Sequence, residues 1–231
     1  AAKAKGHRTG DNPARWRGNL DHLLSKRERL TRGHHRALPI DSIPTFVTEL
    51  RARPATAARA LEFTILTASR TAEVIGAKFS EIDTAAKLWR VPADRMKMGR
   101  PHEVPLSARA LELIEEMKLG REIVPTDPIF HGPRVKDPLS NMSMAMLCRR
   151  MKVDATPHGF RSTFRDWAGD RTNFPRDVVE HALAHLVGDE TERAYRRSAA
   201  LEKRRKLMDA WARFAISPRP SSNVVQLASA S

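Results

Sequence analysis

The chain contains a single tyrosine, Tyr195, followed directly by Arg196 and Arg197. A phenol with an unperturbed pKa of about 10 is a poor nucleophile at neutral pH. Cations around it stabilise the phenolate, so a tyrosine among arginines has the makings of a nucleophile for an anionic ester. A lone tyrosine is equally a packing aromatic. Upstream, TPHGFRSTFRDWAG places His158 and Arg161 at H-x-x-R spacing. Thr156 followed by Pro157 predicts a helix start, an N-cap hydroxyl and then proline at N1. His158 then lies in the first turn, where free N–H groups and the helix dipole favour an anion. At about 100° per residue His158, Arg161 and Arg165 share one face, and Phe160, Phe164 and Trp167 the opposite one. An ordinary amphipathic helix with a solvated basic face has the same pattern.

Other candidates stand apart in the sequence. In TASRTAEVIGAK, Arg70 follows an apolar run: either a surface terminator or a guanidinium held by a core element, with Glu73 placed to fix its fork. Lys97 falls at the turn of RVPADRMKMGRPHEVPLS, between Arg95 and Arg100. A hairpin lysine either swings into a groove to donate a proton or stays solvated. His181 and His185 stand four residues apart on an expected helix that Gly188 ends. That spacing suits zinc, but H-E-x-x-H is absent and Cys148 is the only thiol.

The elements that must position these groups read as α+β and mostly helical. PATAARALEFTILTAS is apolar nearly all round and predicts a buried helix with Pro54 at N1. FSEID, KLWRVP and HEVPLS predict a small antiparallel sheet of about three strands. From Ala108 onward the pattern is helical, ending in LEKRRKLMDAWARFA. That last helix sets Leu207, Met208, Trp211 and Phe214 on one side, against its own subunit or a neighbour. Residues 1–37 read as a basic linker with a short helix near 17–25, residues 38–215 as the main domain, and residues 216–231 as a Pro/Ser-rich tail.

Composition narrows the partner. The chain has 41 Lys+Arg against 27 Asp+Glu, a net charge of +14, which favours a polyanion such as nucleic acid. One cysteine excludes an intramolecular disulfide and suits a reducing cytoplasm. No apolar run approaches the ~18 residues of a membrane span, and no signal peptide opens the chain. The first residue, Ala1, is read as the start of a fragment.

In order, ASRTAE, MKMGRPHEVPLS, HGFR, LAHLVG and AYRR resemble the signature of the tyrosine recombinases, the phage-integrase family of site-specific DNA recombinases, over residues 38 to 214. The look is nearest to integrases of prophages and genomic islands. The resemblance implies a catalytic set of Arg70, Lys97, His158, Arg161, His185 and Tyr195. Lys97 is chosen for its eight-residue spacing to Pro105, and His185 for its place in the L-x-H slot. It further implies that Tyr195 attacks a DNA phosphate to form a 3′-phosphotyrosyl link while Arg70 and Arg161 clamp the non-bridging oxygens. Lys97 acts as general acid for the 5′-oxygen, His158 assists proton transfer, and His185 donates to the phosphate. No metal, ATP or other cofactor is implied. The implied partners are double-stranded attachment sites and three further copies on DNA, with a free monomer, no membrane, and a bacterial cytoplasmic, nucleoid-associated location. The resemblance also places the end of a core-binding domain in residues 1–37. Rival readings are a type IB topoisomerase-like enzyme, a DNA-binding regulator with a dead catalytic remnant, and, more distantly, an RNA-binding protein.

The charge balance yields one measurement. Affinity for duplex DNA is expected to fall steeply between about 50 and 300 mM salt, because phosphate contacts release counterions; a flat response in a filter-binding or anisotropy titration excludes a wrapped-DNA mode.

Overall fold

The structure is a computed structural model that describes residues 5–7, 9–10, 12–23, 36–185 and 197–217. The chain divides into two units, 1–34 and 35–231. Among the described residues of the first are two short helical pieces, Trp16–Leu20 and Asp21–Leu23. All else below concerns the second unit.

Helix α1 (Ile43–Arg51) carries Pro44 in its first turn and buries Ile43, Phe46, Val47 and Leu50. That i, i+3, i+4, i+7 spacing makes one apolar stripe. Helix α2 (Thr56–Thr67) is buried on nearly all sides because α1 and five of the helices described below pack around it. Its first residue lies two beyond Pro54, so the proline precedes the helix rather than occupying N1. Helix α3 (Thr71–Ile75) follows after a sharp break at Ala68 to Arg70.

Strands β1 (Ile82–Asp83), β2 (Leu88–Val91) and β3 (His102–Pro105) form the expected antiparallel sheet in the order β1-β2-β3. Trp89 pairs with Val104 and Val91 with His102. Helices α4 (Ala108–Glu116), α5 (Ser143–Arg150), α6 (Gly159–Arg171), α7 (Arg176–Ala182) and α8 (Arg197–Ile216) complete the unit. Ser107 caps α4, its hydroxyl accepting from the Ala110 N–H at 3.3 Å.

Burying α2 takes a carboxylate into the core. Glu62, with no exposed surface, accepts from Arg109 Nε at 2.8 Å and Nη2 at 3.2 Å. Arg109 also donates to Glu116 at 2.6 Å. A buried ion is tolerable when paired and hydrogen-bonded in this way. Burial acts to lower the Arg109 pKa, but the facing carboxylates outweigh it and raise the value. The pair ties α2 to α4.

The last helix packs within its own chain. Leu207, Met208 and Trp211 are buried, and the Trp211 indole N–H donates to the Ile65 carbonyl of α2 at 2.7 Å. Trp211 also meets Trp167 at 5.0 Å and Phe164 at 5.5 Å between ring centroids. Phe160, Phe164 and Trp167 thus form the core face of α6, as their spacing predicts.

The start of α6 shows why TPHGFR needs a glycine. Thr156 Oγ1 accepts from the Gly159 N–H at 3.0 Å across the turn that leads into α6, so the helix opens at Gly159, two residues after the Pro157 expected to begin it. The Thr156 N–H donates to the Arg36 carbonyl at 3.0 Å, drawing residues 36–38 along the helix start. A Cβ on Gly159 would lie 2.0 Å from that carbonyl oxygen. Gly159→Ala is therefore expected to lower stability by about 1–3 kcal/mol, read as a fall in thermal midpoint; an unchanged midpoint shows that the segment is not held there.

Candidate active site

Arg70 stands where α2 gives way to α3. Ala68 closes α2 in the left-handed region, with φ 48°, which turns the chain within two residues. Arg70 becomes the N-cap of α3. Its backbone N–H donates to Glu73 Oε2 at 2.9 Å and its Nη1 to Glu73 Oε1 at 2.7 Å. One carboxylate thus fixes both ends of the residue. Of the two alternatives for Arg70, the structure shows the guanidinium held by a core element.

Arg161 does not share the exposure of the other two cations on its face of α6. His158 and Arg165 are exposed, whereas Arg161 is only 5% exposed. The reason lies in two helix ends. Arg161 Nη1 donates to the carbonyl of Ala68, at the end of α2. Its Nη2 donates to the carbonyl of Leu183, at the end of α7, at 2.7 Å. Helix C-termini offer unpaired carbonyls and a partial negative charge, so they attract a buried cation. Burial, and then the charge of Arg70, lower the Arg161 pKa to about 10, with Glu73 acting the other way. Arg70 lies two residues beyond the Ala68 carbonyl that Arg161 holds.

Helix α7 ends earlier than its sequence indicates. It stops at Ala182 instead of running to Gly188, and Ala184 adopts φ 52°. The His185 N–H donates to Glu180 O at 2.9 Å and the Ala184 N–H to His181 O at 3.1 Å. These are the two bonds of a Schellman cap, with Ala184 in the place that glycine usually fills. His181 and His185 consequently do not share a helical face, which removes the geometric basis of the zinc reading. The His185 ring instead places Nδ1 2.5 Å from Glu180 Oε2.

The remaining candidates are less closely joined. Lys97 is exposed at the turn between β2 and β3. The hairpin is anchored by its neighbours: Met96 is buried, and Arg95 donates to Glu81 and to the Glu73 carbonyl. That contact fills the space beside Gly76, where a Cβ would lie 3.2 Å from the Arg95 guanidinium. His158 is exposed just ahead of α6. Tyr195 lies outside the described residues.

Residues 36–202 match the profile of the phage integrase family. The chain belongs to that family. It is 40% identical over 153 residues to the prophage integrase IntA of Escherichia coli strain K12, covering 64% of this chain and 36% of the relative. Prophage integrase IntZ of the same organism is 34% identical over 199 residues, covering 84% of this chain and 48% of IntZ. The chain thus spans about a third to a half of the length of these relatives. Its fold is similar to that of a lambda integrase tetramer bound to a Holliday junction, with TM-score 0.53 and 20% identity over 83% of this chain and 54% of that one.

Within this member of the phage integrase family, the structure adds residues that motif reading passed over. His102, on β3, is close enough to feel both arginines. Burial first, then Arg204, Arg161 and Arg70, lower its pKa to about 3, against a hydrogen bond to the Ala182 backbone that acts to raise it. It is neutral at physiological pH. Arg204 of α8, itself buried, donates to the Glu103 carbonyl at 2.6 Å and so joins the last helix to the same strand. The spacing HEVPLS marks a strand, but nothing in it signals that the histidine comes under the charge of three arginines, at the start of α3, on α6 and on α8.

A neutral His102 makes stability depend on acid. Its folded pKa of about 3 lies below the ordinary 6.5, so the unfolded chain takes up the proton first. This contribution is complete above about pH 6.5 and is lost as pH falls toward 3, at no more than about 1.4 kcal/mol per pH unit. His102→Gln is expected to flatten the fall in melting temperature between about pH 6.5 and 4 relative to wild type. Parallel curves for the two proteins refute the assignment.

Proposed function

We propose that the chain is the catalytic part of a site-specific DNA recombinase that integrates or excises a mobile element by covalent cleavage and rejoining. The observation that carries this reading is the anchoring of two guanidiniums at one chain break: Arg161 donates to the Ala68 carbonyl at the end of α2, and Arg70, two residues on, is held by Glu73 of α3. Such a pair lowers its own energy by taking up an anion, and a planar fork suits the oxygens of a phosphodiester. Membership of the phage integrase family supplies the substrate class.

In this reading the Tyr195 oxygen attacks the scissile phosphorus. A Tyr–O–P bond forms, the bond from phosphorus to the 5′-oxygen breaks, and a 3′-phosphotyrosyl link holds the strand. Arg70 and Arg161 neutralise the non-bridging oxygens as charge accumulates in the transition state. Lys97, on its exposed turn, gives the proton to the leaving 5′-oxygen, and His158 assists removal of the phenolic proton. His185 hydrogen-bonds the phosphate. The covalent link conserves the ester for rejoining to a partner strand, so the step needs no external energy source.

Residues 38–215 form the catalytic domain in this proposal, with residues 1–37 the end of a core-binding domain and 216–231 a tail. Strand exchange requires four copies on two duplexes; the fold's likeness to a tetrameric integrase on a Holliday junction supports that assembly. The enzyme works on double-stranded attachment sites in the bacterial cytoplasm, in association with the nucleoid.

A nicked duplex of the attachment site, which traps the covalent step because the cleaved fragment diffuses away, tests the proposal. Wild type is expected to give a denaturation-resistant adduct, Tyr195→Phe none, and Arg70→Ala a rate lower by about 10²–10³. Failure of wild type to form an adduct rejects the enzyme, and an adduct on Tyr195→Phe moves the nucleophile elsewhere.

A further inference from the structure

Glu180 has no part in the chemistry above, yet it stands directly behind one of the imidazoles. It lies in the last turn of α7 and is 9% exposed. Its Oε2 is 2.5 Å from His185 Nδ1. Its Oε1 faces Arg165 Nη2 at 2.6 Å and Arg176 Nε at 3.9 Å. Arg165 follows Arg161 by one helical turn, so α6 grips the end of α7 twice, at the Leu183 carbonyl and at the Glu180 carboxylate. The His185 main chain is fixed by the Schellman cap, with its N–H on the carbonyl of the same Glu180.

Burial acts to raise the Glu180 pKa, but the His185 hydrogen bond and Arg165 outweigh it and hold the group below the usual carboxylate range. An ionised carboxylate only accepts hydrogen bonds. The proton between the two groups therefore belongs to Nδ1, and Nε2 becomes the ring atom left to meet a ligand. The His185 side chain is 44% exposed, so a ligand can reach it.

We propose that Glu180 is a positioning residue that fixes the orientation and tautomer of the His185 ring, presenting Nε2 to the scissile phosphate, with Arg165 holding the carboxylate in turn. The proposal rests on the recombinase reading for the identity of the ligand. With Nδ1 already donating to Glu180, donation from Nε2 to a phosphate oxygen requires the imidazolium. Among the described residues, the charged and titratable groups on the elements around the end of α7 include Arg161 and Arg165 from α6, Arg176, Asp177 and His181 from α7, His102 from β3 and Arg204 from α8. Within that positive surrounding, Glu180 is the carboxylate in contact with the ring, through Nδ1.

The test combines ring nitrogen NMR with the nicked-duplex assay. Wild-type His185 is expected to show a protonated Nδ1 and, when neutral, an unprotonated Nε2. Glu180→Ala is expected to release the other tautomer and to slow adduct formation roughly tenfold, the scale on which partners behind working imidazoles act. Glu180→Gln, whose amide oxygen can still accept, is expected to restore the tautomer and most of the rate. The Glu180→Ala/His185→Ala double variant should be no slower than His185→Ala alone. An unchanged ring spectrum in Glu180→Ala, or losses that add in the double variant, overturns the proposal. Should Glu180→Ala not fold, the wild-type spectrum decides, since a neutral ring protonated on Nε2 is incompatible with the assignment. The NMR arm needs no DNA, so absence of a wild-type adduct would reject the recombinase reading and leave the tautomer result standing.

Discussion

The buried guanidinium of Arg161 is the constraint on which the site depends. It bridges the carbonyls that close two helices, α2 and α7, which are far apart in the chain. A cation taken out of water needs oxygen partners, and helix C-termini supply them without a counter-carboxylate. Because two of its N–H groups go to backbone carbonyls, which carry no full charge, the charge of the guanidinium is not cancelled. The same interaction thus secures the packing of α6 and leaves a net positive centre.

Both helix ends that Arg161 holds are built alike. Each closes on an alanine in the left-handed region, Ala68 and Ala184, and each is followed within two residues by a candidate site residue, Arg70 and His185. The left-handed turn costs about 1–2 kcal/mol for a residue with a Cβ. It turns the chain out of the helical path within two residues. A carboxylate then fixes each of these groups: Glu73 grips Arg70, and Glu180 grips His185. Orientation comes from two acids that are themselves largely buried.

Much of the scaffold was legible because it depends on local periodicity. The near-continuous apolar run of α2, the alternation in KLWRVP and HEVPLS, and the spacing of Phe160, Phe164 and Trp167 each match one element and one buried face. Thr156-Pro157 marked the start of α6 to within two residues, because the turn that leads into the helix involves only neighbours in sequence. The end of α7 was misread for the same kind of reason. Glycine is the local signal for a left-handed cap, Ala184 does not carry it, and the first glycine available was Gly188. Only the tertiary bond from Arg161 to the Leu183 carbonyl marks where the helix stops.

The sequence by itself determined the family signature, the mixed helical fold with a small antiparallel sheet, and the cationic character of the chain. These follow from residue type and short-range spacing. The tertiary structure alone decided that Arg161 is buried, that His102 belongs beside the arginines, that Glu62 is neutralised by Arg109, and that His185 pairs with Glu180 rather than aligning with His181. The physical reason is common to all four. The energy of a buried charge or imidazole is set by the groups packed around it, and those groups come from elements whose proximity no local pattern encodes.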